Sequence, residues 1–266
     1  MNIIVCVKQI QDPEIPPAKF KVDPATNRVV PPEGVPPVIN PFDEQSIEAA
    51  LRIKEKAGGK ITALTVGKGS ARDVLKHALA MGADEAFMLD DDAFDGSDSQ
   101  SMALILSRAI QRIGPFDLVF CGRQAADWDE AQVGSALAEA LGIPPITIAR
   151  SAQVVDGKIR VERVQTDGYE VVEASLPALV TVSNEIGQPR LPTGFGIIQA
   201  SRKKITQWKA SDIGLSPAEV GPAAARTRLL KLFVPVRESK CEFVKGETVA
   251  EAAALLAVKL REAKIL

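Results

Sequence analysis

Side chains that commonly carry catalysis are scarce in this chain. Its 266 residues include one histidine, His77, and one tyrosine, Tyr169, so hydrolytic chemistry built on imidazole has only His77 to use. Three cysteines, Cys6, Cys121 and Cys241, are odd in number and far apart, and no CxxC motif occurs. Neither a disulfide framework nor a zinc site is indicated. Neither charge dominates: 32 Lys and Arg nearly cancel 34 Asp and Glu, leaving −2 and no bulk attraction for nucleic acid. No apolar run approaches the ~18 residues that span a bilayer. The sequence opens on the strand-like Asn2-Ile3-Ile4-Val5-Cys6-Val7, without the basic and apolar regions of a signal peptide. These absences predict a soluble protein in a reducing, intracellular compartment.

What is present suffices for a packed core, since 46% of the residues are hydrophobic. At ~150 residues per domain, the length allows one large domain or two small ones. The first 145 residues alternate short apolar runs with longer helical patterns. Ile3–Val7, Ile61–Val66, Ala86–Leu89 and Asp117–Cys121 read as strands covered on both faces. Asp43 is placed to cap a helix that runs to Ala57 and stops at Gly58-Gly59. Ser70 and Asp73 have capping-box spacing for a second helix, closed by Gly82. A third carries Met102, Ile105, Leu106, Ala109, Ile110 and Ile113 on one face and ends at Gly114-Pro115. A fourth starts near Asp129 and carries Val133, Leu137 and Leu141. Such alternation predicts an α/β fold with a mostly parallel sheet flanked by helices. Ligands of such sheets bind beyond the carboxyl ends of the strands, where strand order reverses. That rule points to the residues after Val7, Val66 and Phe120.

After Pro144 the pattern changes. Gln153–Val155, Lys158–Gln165 and Glu170–Ala174 are strand candidates separated by the hairpin signals Asp156-Gly157 and Asp167-Gly168. Leu179–Val182 reads as a buried strand, and the glycines and prolines from Ser183 to Gly196 predict a loop. Residues 209–246 read as an extended arm. A last helix follows, with Thr248 and Glu251 at capping-box spacing and Val249, Ala253, Leu256 and Leu260 on one stripe. The chain therefore divides into an α/β domain over 1–208, with a β-rich part at 151–182, and an arm with its helix over 209–266. The stripe suits a partner subunit and its own domain equally well.

No GxGxxG follows a strand, and no P-loop occurs. Gly67-Lys68-Gly69-Ser70 follows a strand and opens a helix, where an anion can bind, though an ordinary strand-to-helix turn explains it more simply. The run from Gly122 to Gly134 says more. Gly122 leaves room at the turn, Arg123 can neutralise a phosphate, and Gln124 or Gln132 can bond a base or ribose edge. Asp127, Asp129 and Glu130 suit the positive end of a helix dipole. A nucleotide loop and a solvated, well-capped helix start fit these residues alike. A metal site lacks the histidine or further oxygen donors it would need.

Several motifs, in order, resemble the electron-transfer flavoprotein β subunit family. They are Val7-Lys8-Gln9, Asn40-Pro41-Phe42-Asp43, Ala78-Leu79-Ala80-Met81-Gly82-Ala83-Asp84 and the run Gly122–Gly134. Arg163, Asp167-Gly168, Glu170-Val171-Val172 and Pro177-Ala178-Leu179-Val180-Thr181 complete the set, with Thr166 departing where an acidic residue is usual. The resemblance spans nearly the whole chain. It implies a heterodimer whose α subunit holds most of a redox-active FAD, while this subunit carries a second nucleotide. The implied contacts are Cys6, Asn40, Pro41, Phe42, Asp43, Val66 and Gly67. With them come Gly122, Arg123, Gln124, Ala125, Ala126, Asp127, Trp128, Asp129, Glu130, Ala131, Gln132 and Val133. That nucleotide is AMP in housekeeping members and a second FAD in electron-bifurcating ones. Ala131 and Val133 stand where AMP-binding members often carry Asn and Thr, so the pair resembles the bifurcating type; Trp128 fits neither pattern.

The resemblance further implies a partner-recognition loop within 183–204 that docks an apolar side chain into acyl-CoA dehydrogenases. Gly194 stands where that side chain is expected, so the neighbouring Phe195 is the expected contact. Arg202, Lys203 and Lys204 form a small basic cluster that suits a solvated face better than steering. The implied work is electron transfer without a catalytic side chain. Electrons pass from dehydrogenase flavins, as in fatty acid oxidation, to a membrane quinone reductase. In the bifurcating type, this subunit's FAD would take hydride from NADH and divide the electron pair between acceptors of high and low potential, with ferredoxin or flavodoxin as an acceptor in place of the quinone reductase. The family implies no metal, no nucleic acid and no membrane span in this subunit, and a bacterial or archaeal cytoplasm as its setting. The rivals are a free-standing adenine-nucleotide sensor and a nucleotide-using transferase or ligase, the latter lacking a phosphate loop and a base. His77 is expected on a surface or packed, Cys121 as a buried thiol, and Trp208 at an interface or in the core.

Overall fold

Runs of apolar and β-branched residues too short for helices become the strands of one large sheet in the computed structural model, which describes residues 1–235 and 241–266. In chain order the strands are β1 (Asn2–Cys6), β2 (Gln9–Ile10), β3 (Lys21–Asp23), β4 (Arg28–Val30), β5 (Val38–Ile39), β6 (Lys60–Val66) and β7 (Glu85–Leu89). They continue as β8 (Leu118–Gly122), β9 (Pro145–Val155), β10 (Lys158–Gln165), β11 (Gly168–Ser175), β12 (Ala178–Val182) and β13 (Ile205–Trp208). The helices are α1 (Pro41–Ala57), α2 (Arg72–Met81), α3 (Ser99–Ile113), α4 (Val133–Leu141), α5 (Gly194–Arg202), α6 (Gly221–Ala224) and α7 (Val249–Glu262).

Nine strands pair in the order β11-β10-β9-β12-β8-β1-β6-β7-β13. From β12 to β13 all neighbours are parallel, whereas β9, β10 and β11 form an antiparallel meander. The mixed α/β fold with a mostly parallel sheet is thus present. Alternation along β1 sends Ile3 and Val5 into one apolar cluster with Ile47, Ile61, Leu75 and Phe120. Ile4 and Cys6 join the other, with Leu64, Ile105, Val119 and Leu137. Helices α1 and α2 cover the first face, and α3 and α4 the second. Where β9 passes from its parallel to its antiparallel partner, Ile148 takes φ 59° and donates its N–H to Thr181 Oγ1 at 2.9 Å. A β-branched residue in the left-handed region marks a strained corner worth about 1–3 kcal/mol.

Several local expectations change. Asp43 does not cap α1; Asn40 precedes the helix, and Asp43 lies within its first turn, buried. Ser70 belongs to a 3-10 turn before α2 and donates its hydroxyl to Gln9 rather than capping. Helix α4 begins at Val133, not near Asp129. The stretch 183–196 contains a 3-10 turn at Asn184–Ile186 and the start of α5, capped by Thr193. Strand β9 begins already at Pro145. Trp208 ends β13, its ring 4.7 Å from that of Phe87 and beneath the Arg112 guanidinium.

The chain separates into two compact units, Met1–Lys21 with Val29–Leu230, and Val22–Arg28 with Lys231–Leu266. Residues 209–230, expected to open an extended arm, lie in the first unit, where Ile213, Leu215 and Val220 are buried. The remainder of that expected arm includes 236–240, which lie outside the described residues. In the second unit Thr248 caps α7 through its hydroxyl oxygen, which accepts the Glu251 N–H at 3.2 Å. Val249 and Leu256 of its stripe are exposed. Among the described residues no helix is long and apolar enough to cross a membrane.

Candidate functional site

From β1 the chain moves to β6 and β7 on one side, then crosses to β8 on the other. Strand order therefore reverses between β1 and β8, and their carboxyl ends flank the crevice where such folds bind ligands.

A single carboxylate ties the two sides together. Asp43 Oδ2 accepts the N–H of Lys8 at 2.7 Å, just past β1, and Oδ1 accepts that of Gly122 at 3.0 Å, at the end of β8. Burial pushes Asp43 up to about 7, although the Lys8 N–H, Asn40 and the Gly122 N–H all favour its charged form. Gly122 is required by this arrangement: a Cβ there would lie 2.4 Å from Asp43 Oδ1 and 2.7 Å from Phe42 Cβ. The room expected at Gly122 is consumed by Asp43 and Phe42. Likewise a Cβ on Gly67 would meet that of Ala71 at 2.7 Å.

Asn40 serves the following loop as a surrogate strand. Its Nδ2 donates to the Gln124 carbonyl at 2.9 Å, and its Oδ1 accepts from Ala126 N at 3.1 Å. Lys8 Nζ meets Asp127 at 2.8 Å, Gln124 Nε2 donates to Asp129 at 2.6 Å, and Ser99 donates its hydroxyl to Glu130. The three acids are therefore held by partners within the chain and do not line up on a helix end. Asp129 and Ala131 have φ 52° and 56°, so the loop turns back on itself before Val133 starts α4. Arg123 lies over the Phe42 ring, 5.1 Å from its centre, and donates to Ser183 Oγ at 3.3 Å. Trp128 is 49% exposed above this framework.

Cys6 and Cys121 are buried side by side at the ends of β1 and β8, where the neighbouring Cys6 thiol and burial hold Cys121 well above its ordinary range. The rim thus gathers Cys6, Asn40 to Asp43, Val66-Gly67 and Gly122 to Val133 around the ends of β1, β6 and β8. A cavity of about 210 Å³ opens beside it, lined by Val66, Gly67, Leu89, Phe94, Ser97 and Met102. It has room for one ring system, below the ~300 Å³ at which pockets for whole small molecules begin. Phe94 and Ser97 were not singled out from sequence, and Met102 only as part of an apolar helix face. The strand-end rule applied to Leu89, as well as to Val66 and Phe120, finds them. In sequence Lys8 is marked only as part of a motif and as the residue after Val7, and Ser99 and Ser183 are missed as supports, because their partners lie far away along the chain.

Gly194 and Phe195 are not part of this rim. They lie in the first turn of α5, which packs on α2 so closely that a Cβ on Gly196 would sit 2.4 Å from the Ala80 carbonyl oxygen. Ala80 is near the far end of α2, so Phe195, 69% exposed, faces solvent at the amino-end side of the sheet. His77, on α2, places Nε2 2.6 Å from the Glu44 carboxylate of α1, a helix-to-helix contact away from the rim loop.

Residues 28–213 match the electron transfer flavoprotein domain. Full-length similarity extends to a caffeyl-CoA reductase-Etf complex subunit of Acetobacterium woodii, 41% identical with all of both chains covered. An electron transfer flavoprotein subunit beta of Thermoanaerobacterium thermosaccharolyticum is 39% identical, again over all of both chains. Protein FixA of Bradyrhizobium diazoefficiens is 35% identical over all of this chain and 93% of its own.

Proposed function

The chain belongs to the electron transfer flavoprotein family as a β subunit, and from that premise we propose that it holds a second FAD at the β1/β8 rim and relays electrons from NADH. Membership implies an α-subunit partner, a flavin-type cofactor and redox partners. At the rim the Asp43 carboxyl is buried and occupied by the N–H groups of Lys8 and Gly122, and the Cys6 and Cys121 thiols are buried, which suits a holder of cofactors. A flavin, when bound, supplies one- and two-electron chemistry. The residues here would hold, orient and shield it: Arg123 towards phosphate, Gln124 towards a base or ribose edge, and Val66 and Met102 against a ring.

The observation that carries the second FAD is Ala131. Its left-handed φ of 56° is a conformation that Asn tolerates and that costs other L-residues about 1–2 kcal/mol. Backbone preference therefore argues against alanine, and the gain is a shorter side chain at the mouth of the rim. The name of the Acetobacterium relative, a caffeyl-CoA reductase-Etf complex subunit, supports a CoA-thioester enzyme as electron partner; docking at Phe195 and ferredoxin or flavodoxin as low-potential acceptor complete the proposal. The C-terminal helix, with its exposed stripe, would pack on the partner subunit. A second reading, structural AMP and a membrane quinone reductase as acceptor, is favoured by the small cavity of about 210 Å³. The family match sets aside the free-standing sensor. The co-expressed heterodimer decides the matter: two FAD per heterodimer, and NADH oxidation that requires two acceptors, support the proposal. One FAD with extractable AMP supports the second reading. A colourless, nucleotide-free heterodimer overturns both.

A further inference from the structure

Helix α1 carries Glu48, Arg52 and Glu55 at spacings of four and three, hence on one face. All three are spent on one neighbour, the chain from Ile186 to Arg190. Arg190 approaches Glu48 with a fork: Nε to Oε2 at 2.7 Å, Nη2 to Oε1 at 3.2 Å, and its own backbone N–H to Oε2 at 3.2 Å. Its remaining Nη1 reaches Glu55 at 2.5 Å. Arg52 donates Nε to Glu48 at 2.8 Å and Nη1 to the Ile186 carbonyl at 3.0 Å. Glu48 is only 5% exposed, yet its carboxyl stays below the usual range. Burial pushes it up, and the hydrogen bonds from Arg190 and Arg52 outweigh that.

Only Glu48 of this cluster is buried; the side chains of Arg190 and Arg52 are 37% and 42% exposed, so the pairs add little stability of their own, and fixing one geometry around the buried carboxylate is their better-attested use. The geometry fixed here is that of an apolar ridge. Beyond Arg190 the Thr193 cap and the Gly196–Ala80 approach anchor α5, while Leu191 and Phe195 remain 86% and 69% exposed with Ile198 beside them. Arg202, the last residue of α5, and Lys204, two residues on, add exposed positive charge to this part of the chain.

We propose that Glu48 and Arg190 are positioning residues for partner docking: their ion-paired fork sets the pose in which the Leu191–Phe195–Ile198 ridge meets an apolar socket rimmed by carboxylates on the electron-partner flavoenzyme. This rests on the docking reading of Phe195. It also separates two jobs of one helix. The first turn of α1 serves the rim, and its later turns serve the ridge.

The test uses the holo heterodimer with a short-chain acyl-CoA dehydrogenase as partner, comparing Glu48→Gln, Arg190→Lys and Phe195→Ala with the parent. Glu48→Gln should raise the KM for the heterodimer about tenfold, with kcat and flavin content unchanged, since only encounter geometry is lost. Arg190→Lys keeps the charge without the fork and should raise KM about threefold, which also covers the case of Glu48→Gln failing to fold. Amide hydrogen exchange in 187–191 should quicken at least about tenfold in Glu48→Gln. If Phe195→Ala raises KM but neither fork variant does, the ridge docks without the fork and the proposal falls alone. If none of the three moves KM, the docking reading falls and takes the proposal with it. If the fork variants instead lower kcat and flavin content together, their effect runs through the rim, and the positioning role is wrong.

Discussion

The two ends of helix α1 hold their neighbours by opposite means. At the rim, Asp43 and Asn40 bind backbone groups of Lys8, Gly122, Gln124 and Ala126, so the main chain itself is pinned. At the ridge, charged side chains do the holding: Glu48 and Glu55 grip the Arg190 guanidinium, and Arg52 bonds both Glu48 and the Ile186 carbonyl. A rim built from backbone contacts tolerates little change in shape, whereas a ridge held by ion pairs exposes its contact residues, and of their supports only Glu48 is buried. The first suits a site that must fit one kind of ligand closely; the second suits a surface that must meet a separate protein.

The sharpest way to break this contrast is to add one methyl group at each end. Gly122→Ala drives a Cβ into Asp43 and Phe42 and should cost about 3 kcal/mol, with loss of bound nucleotide, measured by thermal melting and nucleotide extraction. Asp43→Asn comes next and is read through pH. The folded chain keeps the Asp43 proton up to about 7, while the unfolded chain releases it near 3.8. The carboxyl's contribution to stability is therefore full below about pH 4 and is lost as pH rises towards 7, at about 1.4 kcal/mol per unit. An amide in its place cannot titrate, so from about pH 4 to about pH 7 the melting point of the variant should gain on that of the parent. An unchanged difference would place the carboxyl's titration elsewhere. Gly196→Ala pushes α5 against the Ala80 carbonyl and should cost about 1–2 kcal/mol while leaving nucleotide content intact, the reverse of the pairing at the rim. Smallest of all, Phe195→Ala and Trp128→Ala should each move stability by less than about 0.5 kcal/mol. The first should then alter only partner kinetics and the second only nucleotide retention.

The parallel strands were legible because each is a short apolar run between turn residues, and β1, β6, β7 and β8 end within a residue of expectation. That the residues after Val7, Val66 and Phe120 gather at one rim was legible from the same alternation and the strand-end rule. Its internal wiring was not. Asp43 stands where helix caps stand, and only the fold reveals that its partner Gly122 lies across the crevice. The run Asp127 to Glu130 has the acidity of a helix start, but the left-handed Asp129 and Ala131 delay α4 to Val133. Gly194 and Gly196 read as helix breakers, yet Gly196 is what lets α5 lie against Ala80. Residues 209–230 lack periodicity because they pack as isolated contacts such as Ile213 and Leu215.

The ridge has an evolutionary corollary. Because Leu191, Phe195 and Ile198 face water while Glu48, Arg52 and Ala80 grip only the backbone and Arg190 behind them, the outward shapes are free to drift without unsettling the scaffold. On the proposed docking role, lineages carrying this chassis could trade one client enzyme for another by rewriting a few surface letters, while the rim at the opposite end is inherited intact.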